Sequence, residues 1–227
     1  KTMNTSNNDV LALNRRAYDK IAPTFSASRS YVWPDLELFK QYIKDGNRVL
    51  DLGCGNGRLL ALFDEKDVKY LGVDFSEKLI AQARGNRPDK KFEVMDALDL
   101  KLPDATFDVV LCVSVLNHIP RDKQDLFVAN VKRVLKPGGM LLMANWNLWN
   151  LFNKKSVWFT GLKKDVMTVW KGGRENEQLY YYAFTKRELK RLLERDGFAV
   201  EQSFYSRKGK RACVLCGENI VTIAKRV

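Results

Sequence analysis

The chain has 227 residues, 45% of them hydrophobic, enough for one α/β domain with a sizeable core. Its longest strongly apolar run, Val109 to Leu116, is too short to cross a bilayer, and the polar start KTMNTSNNDV has no apolar signal region; a cytoplasmic protein without a membrane partner is expected. The net charge of +12 is segregated: Lys and Arg outnumber Asp and Glu 5 to 2 over residues 1–33, balance 17 to 17 over 34–145, and lead 17 to 8 over 146–227, which points to a polyanion partner at the basic ends.

In chain order, Asp9 to Lys20 reads as a helix leading into the arm YDKIAPTFSASRSYVWP, where Tyr18, Phe25 and Trp33 surround Arg29. Trp33-Pro34 opens a further helix, DLELFKQYI, closed by the turn Asp45-Gly46-Asn47. RVLDLG, YLGVDF, FEVMDA and FDVVLCVSVL read as four short buried strands, with helices over Asn56 to Phe63, Ser76 to Arg84 and Asp122 to Leu135. PGGMLLMANW is a turn and a fifth strand. This alternation indicates a doubly wound, Rossmann-like α/β fold with a mostly parallel sheet. Residues 1–34 then form an N-terminal helical lid and 35–145 the core. Residues 146–184 form an inserted aromatic, basic segment holding four of the five tryptophans. The helix TKRELKRLLERDGF, with Thr185 as N-cap and Gly197 at its end, and a closing antiparallel strand pair, VEQSFYS and NIVTIAKR, complete a single domain over 185–227.

Four cysteines and one histidine limit metal chemistry. Cys213 and Cys216 form one C-x-x-C, zinc would need two more ligands, and the single His118 cannot supply them, so no metal is expected. The two are read as strand or turn cysteines.

VLDLGCGNGRLL is a strand, a glycine turn and a helix start. Gly53, Gly55 and Gly57 let a ligand approach the backbone, and the helix start offers N–H donors. The spacing is G-x-G-x-G, not the dinucleotide G-x-G-x-x-G, with Asp51 two residues ahead and Asp74 at the end of the next strand. A compact turn with its own acid suits a positively charged ligand without a pyrophosphate, such as S-adenosylmethionine (SAM).

From Val49 to about Asn145 the chain resembles the class I SAM-dependent methyltransferases, whose product is S-adenosylhomocysteine (SAH). The resemblance implies that Gly53 to Gly57, with Cys54, wrap the methionine part. It implies that Asp74 takes the ribose hydroxyls, that Phe75 lies against adenine, and that Asp96 takes the adenine amino group while Ala97 donates from its backbone. Residues Cys112 to Val115, Val113 among them, would line the end of the fourth strand. The Asn/Asp-Pro-Pro-aromatic string of exocyclic-amine enzymes is replaced by SVLNHIP, and the Pro-Cys nucleophile of cytosine enzymes by Leu111-Cys112, so neither chemistry is indicated.

More of the chain is similar to the tRNA carboxymethyluridine methyltransferases, which methylate a carboxymethyl group on the wobble uridine. The likeness rests on YDKIAPTFSASRSYVWP, VLDLGCGNG, GVDFSEKLIAQAR, VLNHI, LKPGGMLLMANW and YYYAFTKRELKRLLERDGF; NHI stands where that family usually has two histidines. It implies a tRNA substrate and allows for a small activating subunit. A carboxylate acceptor is already anionic and needs placement more than a base. Arg29 could hold it or clamp SAM's own carboxylate, and Asn117 and His118 could donate to it; for another acceptor His118 could serve as base or simply pack. Tyr18, Phe25 and Trp33 would close the lid over the cofactor. Trp146, Trp149, Lys154, Lys155, Lys163, Lys164, Lys171 and Tyr181 are candidates for RNA contact. Two other readings stand beside this one: a small-molecule carboxyl, O- or N-methyltransferase with 146–184 as its lid, and a non-catalytic SAM- or RNA-binding protein.

Overall fold

The computed structural model describes residues 7–29, 31–153, 156–170 and 176–227. Ten strands form in chain order: β1 Arg48–Leu52, β2 Lys69–Asp74, β3 Lys91–Val94, β4 Phe107–Val113, β5 Leu135–Trp146, β6 Asp165–Trp170, β7 Glu177–Tyr182, β8 Phe198–Arg207, β9 Lys210–Ala212 and β10 Asn219–Arg226. Eight make one sheet, ordered β3-β2-β1-β4-β5-β10-β8-β9. The first five are parallel neighbours, while β10, β8 and β9 pair antiparallel. Strand order reverses between β1 and β4, the point at which open α/β sheets bind ligands beyond their carboxyl ends.

The strands alternate their side chains between two cores. Val110 and Cys112 of β4 face the core that takes in Phe127 and Val131 of α3 (Gln124–Val134) and Leu189 and Leu193 of α4 (Lys186–Arg195). Val109 and Leu111 face the other, with Leu36, Phe39 and Ile80. The expected α4 forms as read: the Thr185 hydroxyl accepts from Glu188 N, and Gly197 takes φ +84 just beyond its end.

Three local expectations change. The first helix, α1, does not stop near Lys20 but runs Asn7–Ser28 through Pro23. Pro23 lacks an N–H and would ordinarily break it; Pro23 is exposed, and Ala17, Ile21 and Ala22 bury the opposite face. The stretches read as helices over 35–43 and 56–63 form tighter 3-10 turns, Pro34–Tyr42 and Arg58–Leu62. The second is shortened because Gly57 takes φ +79 and donates back to Cys54 O. The insertion is organised by an antiparallel β6–β7 hairpin that alternation in the sequence did not reveal. Its buried Val166, Leu179, Tyr181 and Ala183 pack with Ala17 and Ile21 of α1 in a third small core.

Candidate active site

Beyond the carboxyl ends of β1, β2, β4 and β5 lies a cavity of ≈ 340 Å³, open on one side. The glycine turn forms its floor. Gly53 and Cys54 both donate to Val73 O, at 2.7 and 3.0 Å, which fastens the turn to β2. Gly53 has φ +73, and a Cβ there would lie 2.2 Å from Val115 Cγ2. A side chain at this position is excluded twice, by backbone conformation and by space. Among the turn residues, Gly53, Cys54, Gly55, Asn56 and Arg58 line the cavity; Gly57 lies behind it against Phe92.

Asp74 ends β2 with its carboxylate at the cavity wall. Oδ2 accepts from Gly55 N at 3.0 Å and Oδ1 from Ser76 N at 2.9 Å, so two amides orient it and leave lone pairs for a ligand. Burial pushes its pKa up to about 6 despite those amides. Ser76 Oγ donates to Asp19 of α1 at 2.6 Å, tying helix to cofactor strand. Phe75, Asp96 and Ala97 line the same end, and Asp96 Oδ1 caps Leu98 N at 2.8 Å. A carboxylate held by amides, an aromatic beside it, an acid with a spare oxygen and a turn with glycine at every other position fit the ribose, adenine and methionine parts of SAM.

The arm closes the cavity from α1. Tyr18, Phe25, Arg29 and Trp33 all line it. Phe25 comes within 3.6 Å of the place a Gly55 Cβ would take, and Trp33 meets Trp146 edge-on at 5.6 Å between centroids. Asn56 Nδ2 fixes the arm by donating to Ser26 O, Ser26 Oγ and Arg29 O. The Arg29 guanidinium lies among Phe25, Trp33 and Trp170, 5.5 to 6.0 Å from each ring, and donates to Ser28 O at 3.3 Å. Among the described residues, no carboxylate pairs with it.

His118 stands opposite, its ring 5.3 Å from Tyr18 and 4.5 Å from Tyr181. Nδ1 faces Tyr180 O, which only accepts, at 2.8 Å and the Asn14 Nδ2 donor at 3.3 Å; the shorter contact puts the proton on Nδ1. Nε2 is then the acceptor for the Tyr18 hydroxyl at 2.9 Å. Asn14, one turn before Tyr18, spans the same strand: its Nδ2 donates to Tyr180 O and its Oδ1 accepts from Tyr180 N. Burial raises the Tyr18 phenol well above its usual range, so it remains a neutral donor. Asn14 was not foreseen, although its i, i+4 spacing to Tyr18 places both on one helix face.

Several expected positions fall elsewhere. Asn117 does not line the cavity: its amide bonds Trp146 O, Trp146 N and Tyr182 O and staples the insertion to β5. Cys112 is fully buried in the core below β4; Val113, Ser114 and Val115 line the site instead. Ser114 has φ +59, a strained conformation where the strand turns into the wall. Asp51 lies under the turn, accepts from Tyr70 Oη at 2.9 Å, and is raised by burial to about 7. Of the RNA candidates, Trp146 and Tyr181 line the cavity. Trp149 packs into the α1–hairpin core, Lys163 is exposed, and Lys164 pairs with Glu188 at 2.7 Å. Lys154, Lys155 and Lys171 lie outside the described residues. Cys213 and Cys216 are free thiols in a turn, and no metal-holding cluster occurs among the described residues. No described helix is long and apolar enough to cross a membrane.

Comparison with known proteins places this arrangement. Residues 50–143 match the family model for a methyltransferase domain. The chain is 31% identical over 156 residues to a tRNA (carboxymethyluridine(34)-5-O)-methyltransferase of Saccharomyces cerevisiae, covering 68% of this chain and 55% of that one. It is 29% identical over 213 residues to the Schizosaccharomyces pombe protein of that name, covering 85% and 91%. Against the Arabidopsis thaliana relative it spans only 32% of the length, at 34% identity over 58% of this chain. Among solved structures it superposes on a SAM-dependent methyltransferase of Methanosarcina mazei with TM-score 0.67 at 23% identity, covering 84% and 97%. With the Haloferax volcanii complex of the Trm112 methyltransferase activator and a methyltransferase, the TM-score is 0.70 at 20% identity, covering 93% and 94%. Residues 50–143, which hold the glycine turn and the strands from β1 to β5, are thus a methyltransferase domain, set in the fold that solved SAM-dependent methyltransferases share.

Proposed function

We propose that the chain methylates the carboxylate of a carboxymethylated wobble uridine in tRNA. The observation that carries this reading is the pairing of a cavity-lining Arg29 that has no carboxylate partner among the described residues with a His118 whose two ring nitrogens are both engaged. SAM supplies a methyl group on a sulfonium, transferred to a nucleophile with SAH as the other product. A carboxylate acceptor has no proton to lose near neutral pH, so no free base is required; what is required is a held, dry nucleophile.

In this reading Gly53 to Gly57, with Cys54, cradle the methionine part, Asp74 takes the ribose hydroxyls, Phe75 flanks adenine, and Asp96 and Ala97 read its amino edge. Val113 and the residues after it form the wall beneath the reacting centre, Asp51 supports the turn from below, and the arm's Tyr18, Phe25 and Trp33 exclude water. Arg29 attracts the acceptor's charge, while His118 acts through the Tyr18 hydroxyl that it accepts. Trp146 and Tyr181 face the uridine, and Trp149 and Asn117 brace the wall behind them. Exposed Lys163, with Lys154, Lys155 and Lys171, offers cations to anticodon phosphates. Residues 35–145 are the SAM-binding core and 146–184 the substrate-facing insertion of one domain. The names of the yeast relatives support the tRNA substrate, and the Haloferax complex supports a small activating partner. This reading assigns the protein to the cytoplasm, together with its tRNA.

Incubation with methyl-labelled SAM and bulk tRNA, with and without a candidate activator, tests this. The expected result is label in tRNA that mild alkali releases, as an ester requires. Absence of label in tRNA under both conditions overturns the reading. A small-molecule methyltransferase is the second reading, favoured by Trp170 and Tyr181 of the hairpin, which line the cavity as an aromatic lid. The same assay on a metabolite extract separates the two.

A further inference from the structure

A second arginine stands at the cavity mouth that the glycine motif did not single out. Arg58 follows Gly57 directly and lines the cavity with Arg29. Its guanidinium lies 4.3 Å from the centre of the Trp33 ring, and that of Arg29 lies 6.0 Å from the same ring. Nη1 of Arg58 donates to Tyr31 O at 3.0 Å, which fixes the side chain across the arm. Among the described residues neither arginine has a carboxylate within ion-pair distance; the acid below, Asp51, accepts from Tyr70 through Oδ2 and only partly offsets the Arg58 charge from a distance. Burial, and next the charge of Arg29, lowers the Arg58 pKa to about 10, as expected for two cations crowded at a drying wall. Such a pair is costly unless an anion completes it. The indole that both approach touches Trp146 at the end of β5, on the insertion side of the glycine turn. That contact sets the pair next to the insertion, the side that the proposed function gives to the acceptor.

We propose that Arg58 and Arg29 together form a two-guanidinium seat for the carboxylate of the methyl acceptor, packed on Trp33, and that Arg58 sets the preference for an acid over its neutral amide. Planar forks bind a carboxylate bidentately, and two of them hold both oxygens so that one lone pair points in a fixed direction. The inference rests on the tRNA reading above, and adds to it the residue that selects the charged acceptor.

The test measures binding, with SAH present, of two anticodon stem-loops that carry either carboxymethyluridine or carbamoylmethyluridine at the wobble position. Wild type is expected to prefer the acid about ten-fold or more, the range of a charge-assisted pair. Arg58→Gln should erase the preference by weakening the acid loop far more than the amide loop, in a variant whose thermal melt remains cooperative; Arg58→Lys should restore part of it. An unchanged preference in Arg58→Gln overturns the seat. Equal weakening of both loops overturns it too, since that marks a phosphate contact. So does weaker SAH binding with 5′-methylthioadenosine binding intact, since that assigns Arg58 to the methionine carboxylate. Wild type that binds neither loop and labels no tRNA refutes the tRNA reading itself, and the seat with it; a wild type that labels tRNA beside an unaltered variant refutes the seat alone.

Discussion

At the glycine turn the amides of Gly55 and Ser76 point into one buried carboxylate, whereas around the 146–184 insertion Lys164 and Lys20 meet glutamates at a partly exposed surface. Asp74 is held by two bonds of 3.0 and 2.9 Å in a site from which water is largely excluded. Lys164 reaches Glu188 at 2.7 Å with its side chain about a third exposed, and Lys20 reaches Glu177 at 2.9 Å with more than half exposed. The first arrangement fixes geometry to a fraction of an ångström; the second is worth roughly 0–1 kcal/mol per pair and is screened by salt. One side of the cavity thus fixes a defined geometry, while the other, on the function proposed above, meets a larger charged surface.

The most severe way to break this contrast is at Gly53. Gly53→Ala puts a methyl on a φ of +73 and against Val115, and is expected to cost at least about 2 kcal/mol and to abolish SAH binding. Thermal melts and titration calorimetry read both effects. Gly53→Ala with Val115→Ala should recover part of the melting temperature, the conformational share remaining lost.

Next in size, Asp74→Asn should weaken SAH binding about ten- to a hundred-fold, because a charged acceptor of hydroxyl bonds becomes a half-donating amide. With the Asp74 pKa raised to about 6, SAH affinity should also fall as pH drops below that value and the carboxylate is protonated. Affinity that stays flat from about pH 7.5 to about pH 5, the window around that pKa, would remove Asp74 from the binding set.

Stability should run the opposite way. Burial raises both Asp51, to about 7, and Asp74, to about 6, above the unfolded value. The folded chain therefore keeps protons that the unfolded chain releases. Their contribution to stability is full below about pH 4 and is lost as pH rises towards 7. Each group contributes a slope of up to about 1.4 kcal/mol per pH unit within its window. Asp51→Asn, measured by urea unfolding across that range, should flatten the upper part of the curve.

Tyr18→Phe probes the join between the two sides. It deletes the 2.9 Å bond to His118 Nε2 and should reduce turnover by about five-fold, the worth of one neutral hydrogen bond. SAH affinity should change less than turnover does. The smallest effect belongs to the insertion. Lys163→Ala should lower the salt slope of tRNA binding by about one, whereas Lys164→Ala should act mainly through Glu188.

These differences also explain what could be read in advance. The turn was legible because G-x-G-x-G between a strand and a helix start leaves the backbone few conformations. Asp74 and Asp96 were legible because they fall at strand ends. Arg58 was hidden in plain view: nothing in its neighbours tells that it turns back over Trp33. Asn117 was misplaced because an amide beside the only histidine suggests chemistry, while its actual partners, Trp146 and Tyr182, are 29 and 65 residues away. The hairpin was missed because Asp165-Val-Met-Thr-Val-Trp170 buries only Val166 fully, and its pattern makes sense only against α1. Counting charge over 146–227 gives the cationic excess but not its placement, since which lysine faces which acid, as Lys164 faces Glu188, is invisible to a tally.

Three of the five tryptophans, Trp33, Trp146 and Trp170, stand at the cavity, while Trp149 and Trp158 sit outside it. The chain thus carries its own optical probe. Indole emission responds to a nearby cation, to water and to a stacked base, and here all three would change when the cavity fills. A ligand entering on the Asp74 side and one entering on the Trp146 side would disturb different indoles, so single-tryptophan variants would give each side a separate colour.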